Sequence, residues 1–248
     1  MMTMNSVKST LNNAIKFFVS YIAAFIFRYV LGWKINNLEK IREQIDKSKT
    51  PNVAVYLHTG MYEPLLGFLV SLGYNIDMYS IIKKELTEIP LIGKAFNLLN
   101  HIPINRSGNL NIVDMISNEV KNMPPKSFLT ISPEGTRKLT TKLKSGFYHI
   151  AKQTKTPIYV ANFDFSDQTF DLYEVFNSTQ VEILDYSKIL KKIETDFANQ
   201  MPHSPEKCFL TRNRKEQKPT TFISWERSIL RFSPIIIIAI ILGQNFLM

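Results

Sequence analysis

Between residues 51 and 165 the chain switches repeatedly between two hydrophobic periods. PNVAVYLH (51–58) is a short apolar run opened by Pro51 and reads as a buried strand. EPLLGFLVSLGY (63–74) has a helical pattern, with Pro64 suited to a first helical position. NIDMYSIIKK (75–84) is a second strand, IPLIGKAFNLLN (89–100) a helix, and HIPINRSG (101–108) a strand that ends in a turn. From 109 to 122, Leu110, Ile112, Val113, Ile116 and Val120 recur at helical spacing until Pro124 and Pro125 stop the run. KSFLTIS (126–132) is then a strand, KSGFYHIAKQT (144–154) a helix and TPIYVANFDF (156–165) a strand, with a hairpin over 170–185. This alternation predicts an α/β domain over 46–215, a mostly parallel central sheet flanked by helices.

Apolar segments flank that domain. Residues 17–27 (FFVSYIAAFIF) are uncharged, and Arg28 interrupts before YVLGW. A span needs about 20 apolar residues. Taken as 17–33, the stretch fits a tilted span, a re-entrant hairpin or an interfacial helix. No small-x-small site follows it, so a signal peptide fits poorly. We therefore expect a membrane-associated helical region over 1–45. At the other end, 216–248 reads as a basic segment and the apolar tail IIIIAIIL (235–242). Residues 205–231 hold seven cations against three acids, which suits an anionic cytoplasmic leaflet. A buried strand or helix beside a solvated loop is the alternative for this tail. The first picture is a membrane-associated protein with its site facing the cytoplasm.

Charge narrows the partners. With 30 Lys and Arg against 21 Asp and Glu, the formal charge is +9, which favours nucleic acid, an anionic membrane or phosphorylated substrates. Zinc-finger spacing and aromatic RNA-binding motifs are lacking, so no nucleic-acid partner is expected. The lone cysteine, Cys208, excludes an intrachain disulfide and a multi-cysteine metal site. The sequence carries no signal for an oligomeric state.

Three groups fall where a parallel sheet places function, at the carboxyl ends of strands. In HTGMYE (58–63), His58 ends a strand and Glu63 begins a helix, so a strand-to-helix turn can fold the carboxylate back to the imidazole. From this pair alone, a strand-end histidine bonded to backbone is the simpler reading. In SPEGTR (132–137), Gly135 lets backbone approach, Thr136 brings a hydroxyl and Arg137 a planar guanidinium suited to phosphate. Lys83 and Arg106 end two further strands. Each cation singly reads as a solvated charge, whereas three at three strand ends suit one phosphate near His58. His149 lies among apolar helix neighbours and reads as structural; His203, in the Pro-bounded loop MPHSPEK, has no recognisable partner.

In this order and spacing the motifs resemble the glycerophospholipid acyltransferase family, which includes lysophosphatidate acyltransferases. HTGMYE is similar to its His-x4-Asp motif, and IKKELTEIPLIGKAFNLLNHIPINR (82–106) to its second block. SPEGTR is similar to its third block and TPIYVA (156–161) to its fourth, so the resemblance covers residues 51–165. It implies a glycerol-3-phosphate acyltransferase-like fold and acyl transfer from acyl-CoA or acyl carrier protein to the hydroxyl of a lysophospholipid such as 1-acylglycerol-3-phosphate. His58 would be the general base and Glu63 its orienting carboxylate. Lys83, Arg106 and Arg137 would hold the phosphate, with Thr136 beside them and Glu134 and Gly135 shaping the loop. The acyl donor is a co-substrate, and no metal or bound cofactor is implied. Three positions depart from the pattern: Glu63 replaces an aspartate, Asn105 stands where aspartate is common, and His101 where glycine is usual. A phospholipid-dependent transacylase, or a catalytically degenerate lipid-binding member of the same fold, fits the same residues.

Overall fold

Alternate residues of the central strands belong to two different cores. Val53, Val55, Leu129, Ile158 and Val160 share one hydrophobic cluster, while Ala54, Phe128, Tyr159 and Ala161 share the other. Side chains on a strand point alternately to opposite faces, so a sheet buried on both sides reads as a continuous apolar run. The computed structural model describes residues 4–88, 100–104 and 112–211. Its sheet has seven strands in the order β1-β7-β6-β2-β5-β3-β4. They are β1 (Lys34–Ile35), β2 (Asn52–Val55), β3 (Met78–Lys83), β4 (His101–Ile104), β5 (Phe128–Ile131), β6 (Ile158–Asp164) and β7 (Thr169–Phe176). All pairings are parallel except β6 with β7.

One face carries α1 (Met4–Phe25), the π-helical turn Ile26–Val30, α2 (Leu38–Lys47) and α3 (Tyr62–Tyr74), through Ala23, Phe27, Trp33, Ile41, Leu66 and Val70. Two helices flank β3 and β5 in sequence: α4 (Lys84–Thr87) and α5 (Ile112–Asn122). On the opposite face α5 packs with α6 (Gly146–Thr154), α7 (Ser178–Ile183) and α8 (Tyr186–Ala198) through Ile116, Val120, Phe147, Ile150, Val181, Ile189, Ile193 and Phe197. The fold is thus the expected sheet between two helical layers. The helix expected over 89–100 and the end of the strand expected over 101–108 lie outside the described residues, as does the C-terminal tail.

Two expectations are corrected. Residues 170–185 do not form their own hairpin: β7 pairs antiparallel with β6, and the chain then turns into α7. Asn177 caps that helix, its side chain accepting from the Gln180 N–H while the Gln180 side chain accepts from the Asn177 N–H. The tilted-span reading of 17–33 also fails. Phe27, Leu31 and Trp33 are buried in the protein core, and no helix among the described residues is long and apolar enough to cross a membrane. The outer face of α1 is nonetheless apolar, with Phe17, Phe18 and Tyr21 exposed by 76%, 64% and 65%.

The approach of α1 to α3 is close. A Cβ on Gly73 would stand 2.7 Å from the backbone nitrogen of Ala24, and backbone cannot yield there. At Gly67 the nearest atom is Phe163 Cζ at 3.7 Å, ordinary contact distance. Gly73→Ala should therefore lower stability by about 1–3 kcal/mol through overpacking. Gly67→Ala should be neutral or gain up to about 1 kcal/mol in helix propensity. Equal denaturant midpoints for the two variants would refute the close approach.

Candidate active site

Register puts the first and third motifs side by side. Val55 of β2 pairs with Ile131 of β5, so three residues further on His58 stands beside Glu134. The Tyr56 N–H bonds the Ile131 carbonyl at 3.1 Å, and the His58 N–H donates to Glu134 Oε2 at 2.7 Å. A carboxylate thus continues the ladder where the strands part. Beyond His58 the chain turns into α3, and Glu63 folds back into that turn. Its Oε1 accepts from the Thr59 N–H (3.3 Å) and hydroxyl (2.8 Å), and Oε2 from the Gly60 N–H (3.1 Å). Glu63 is only 2% exposed, and these donors compensate its burial.

His58 Nδ1 lies 4.0 Å from Glu63 Oε2, on the facing side but beyond hydrogen-bond length. Nδ1 is buried without a hydrogen-bond partner. Burial pushes the imidazole below its ordinary pKa, Glu63 opposes that shift and Arg137 adds to it. The ring is therefore held neutral, the form that accepts a proton. Burial lifts the Glu134 carboxyl to about 7, opposed by its bond to the His58 N–H and reinforced by Glu63. The same burial, with Glu63 and Glu134 nearby, raises the Tyr56 hydroxyl far above its usual range.

The third motif forms a turn closed by the Gly135 N–H on the Ser132 carbonyl at 3.1 Å. Gly135 has φ +66°, which favours glycine; a Cβ there would stand 2.7 Å from Lys144 Nζ, the mobile end of a side chain that can shift. Thr136 spends its hydroxyl on the Lys138 N–H. Arg137 extends from this turn toward Met61, on the first motif. Thr59, Gly60, Met61, Tyr62, Arg137, His203, Ser204 and Lys207 line a cleft of about 380 Å³ over the turn that follows His58; neither His58 nor Glu63 is among its lining residues.

The structure thus brings His58, Glu63, Glu134 and Arg137 together, with Gly135 and Thr136 forming the loop that presents the arginine. Glu134 points inward to the His58 backbone. Lys83 is exposed at the same edge of the sheet, but β5 separates its strand from β2 and it does not line the cleft. Arg106 lies outside the described residues. Sequence reasoning missed Thr59, whose hydroxyl bonds Glu63 and accepts from the Ser204 N–H, and missed His203 and Lys207. Among the described residues, no group of three His, Cys, Asp or Glu side chains is placed to hold a metal ion.

Loops at the carboxyl edge of a parallel sheet are where such sheets place their sites, and the chain belongs to the acyltransferase family, whose model matches residues 33–163. It is 41% identical over 83 residues to a 1-acyl-sn-glycerol-3-phosphate acyltransferase of Cocos nucifera, covering 32% of this chain and 27% of that protein. With the proteins of the same name from Limnanthes alba and Limnanthes douglasii it shares 30% and 29% identity over 138 residues, covering 54% of this chain and 49% of each. The chain thus spans about half the length of these relatives, or less.

The shifted groups give two tests. His58 should titrate below 6.5 by ring-proton NMR, and Arg137→Gln should move that value upward by removing a neighbouring cation; a downward move would contradict the geometry. Glu134 concerns stability. Its folded pKa is raised from 4.5 to about 7, so the folded state keeps a proton that the unfolded chain has released across that window. Its contribution is full below 4.5 and is lost as pH rises through about 7. Glu134→Gln should flatten the fall in melting temperature over that range. Glu134→Ala should cost about 1–3 kcal/mol at low pH, because the His58 N–H loses its acceptor, and less as pH rises through about 7.

Proposed function

We propose that this chain transfers a fatty acyl group from the thioester of acyl-CoA or acyl carrier protein to the free hydroxyl of a lysophospholipid such as 1-acylglycerol-3-phosphate. The observation that carries this reading is the approach of Glu63 and Arg137, from two different loops, to the His58 imidazole, with Arg137 also lining the cleft formed by residues 59–62. The names of the relatives agree with it.

In this reading His58 Nδ1 faces Glu63, leaving Nε2 to take the proton of the acceptor hydroxyl. The oxygen attacks the thioester carbonyl, the tetrahedral intermediate collapses, the C–S bond breaks, and the leaving thiolate takes the proton back from the imidazolium. Products are the new ester and the free thiol. Glu63 orients the ring and stabilises its cationic form. The gap of 4.0 Å closes as substrate binds, since such contacts are often long in empty sites. Arg137 holds the acceptor phosphate as a planar fork. The exposed apolar face of α1 rests on the membrane that supplies acceptor and takes product, with the site on the cytoplasmic side.

The unbonded His58 ring also favours a second reading, a lipid-binding member of the fold without turnover. Full-length protein in lipid vesicles, given labelled acyl-CoA and 1-acylglycerol-3-phosphate, separates the readings. Labelled diacyl product from the wild type, reduced at least about 10²-fold in His58→Ala, is expected. Transfer only from an intact phospholipid donor would indicate a transacylase. Lysolipid binding without any transfer would favour the second reading, and full activity in His58→Ala would overturn the base assignment.

A further inference from the structure

The cleft has a second wall that the motifs do not supply. After α8 the chain returns over the HTGMYE turn as the segment Met201–Thr211, pinned along its length. Met201 is buried, its N–H on Asp164 Oδ2 (3.2 Å) and its carbonyl on the Phe165 N–H (2.8 Å). The Ser204 N–H bonds Thr59 Oγ1 at 3.1 Å. Further on, Cys208 and Thr211 are buried, and the Thr211 hydroxyl closes on the Pro205 carbonyl at 3.1 Å. A segment so anchored presents its intervening side chains in fixed positions.

Three of these, His203, Ser204 and Lys207, line the cleft. The His203 ring is held against Tyr62 at 4.4 Å between centroids and against Phe165 at 5.2 Å, and its Nδ1 pairs with Ser204 Oγ at 3.1 Å. That Nδ1 lies 3.3 Å from where a Gly60 Cβ would stand, so the ring sits close on the turn. Lys207 ends the short helical turn Pro205–Lys207 and lines the same cleft as Arg137. Among the described residues neither Arg137 nor Lys207 forms an ion pair, although exposed lysines elsewhere on the chain do. These two cations without ion pairs line one cleft together with the His203 imidazole, and so make a site for a compact anion bearing several acceptor oxygens.

We propose that Lys207 and His203 form, with Arg137, the binding site for a phosphate group of a substrate. The strap after α8 thereby contributes to substrate affinity as well as to closing the fold. The cleft volume of about 380 Å³ takes a phosphate with its glycerol or pantetheine attachment. The substrate's identity rests on the acyl-transfer reading; the charge of the ligand does not. Phosphate is carried both by the lysophospholipid acceptor and by acyl-CoA, and the kinetic arms below tell them apart.

The test has a binding arm and a kinetic arm, both on the full chain in detergent. In the first, histidine ring-proton resonances are followed while inorganic phosphate and then glycerol 3-phosphate are added. The His203 signal is identified by its loss in His203→Gln. A saturable shift is expected in the wild type, weakened about tenfold in Lys207→Ala and restored in Lys207→Arg. No shift, or one indifferent to residue 207, overturns the proposal. In the second, Lys207→Ala should raise one KM about tenfold, with the loss on KM rather than kcat. A rise for the lysophospholipid assigns the site to the acceptor, a rise for acyl-CoA assigns it to the donor, and no rise in either overturns the proposal. If the wild type turns over neither donor, the acyl-transfer reading fails and the binding arm alone decides the anion site.

Discussion

The parallel pairing of β2 with β5 is the constraint on which the site depends. Two loops more than seventy residues apart in sequence are neighbours only because Val55 stands opposite Ile131. A strand slipped by one residue would turn its whole side-chain pattern over, driving Val53 and Val55 into the face that holds Ala54. The hydrophobic core therefore fixes the register of the two loops. The bond from the His58 N–H to Glu134 then carries that register past the last strand pair, into the loop where the imidazole sits.

Buried carboxyls shape what the imidazole can do. Glu63 and Glu134 both lie close to His58 in space, and both accept from backbone donors of the same turn. Glu63 thereby holds its charge near the ring without bonding the ring itself, whereas burial favours a proton on Glu134. The Glu63 charge favours an imidazolium, whereas burial and Arg137 disfavour it. That balance suits the base proposed for His58: neutral at rest, yet able to carry a proton briefly while substrate is held. The extra methylene of Glu63 over aspartate fits the same picture, since its oxygens reach the amides of Thr59 and Gly60 and stop 4.0 Å short of Nδ1.

Much of this was legible in the sequence because the informative features are local. The apolar runs at 51–58 and 126–132 and the helical spacing of Ile116 and Val120 mark the layers, and HTGMYE and SPEGTR mark the strand ends. Other signals were present but read differently. Asn177 with Gln180 is a capping box that ends β7, and Ile189, Ile193 and Phe197 recur every four residues along α8. What was hidden is long-range. Ser204 meets Thr59 across 145 positions, and no pattern in MPHSPEK announces that contact. The burial of Phe27 and Trp33 was hidden as well, because an apolar stretch facing protein and one facing lipid have the same composition.

That last ambiguity is resolved within a single helix. α1 buries Ala23 against α3 and continues into Phe27 in the core, while Ile15, Phe18, Val19 and Ile22 recur on its outer side at spacings of three and four. One apolar helix thus serves two solvents, protein on the inner face and whatever covers the outer one. Gly73 permits the inner contact by letting the backbone of Ala24 approach, and Ser20 adds a hydroxyl bond to the Leu72 carbonyl at the end of α3. Because α3 begins at the HTGMYE turn, a helix seated on it is coupled mechanically to the loop that carries His58. A surface that grips the outer face of α1 is therefore joined through one rigid packing contact to the element on which Glu63 is mounted. For the lipid substrates proposed above, that continuity is a physical reason to carry the apolar surface on this helix rather than on the opposite layer.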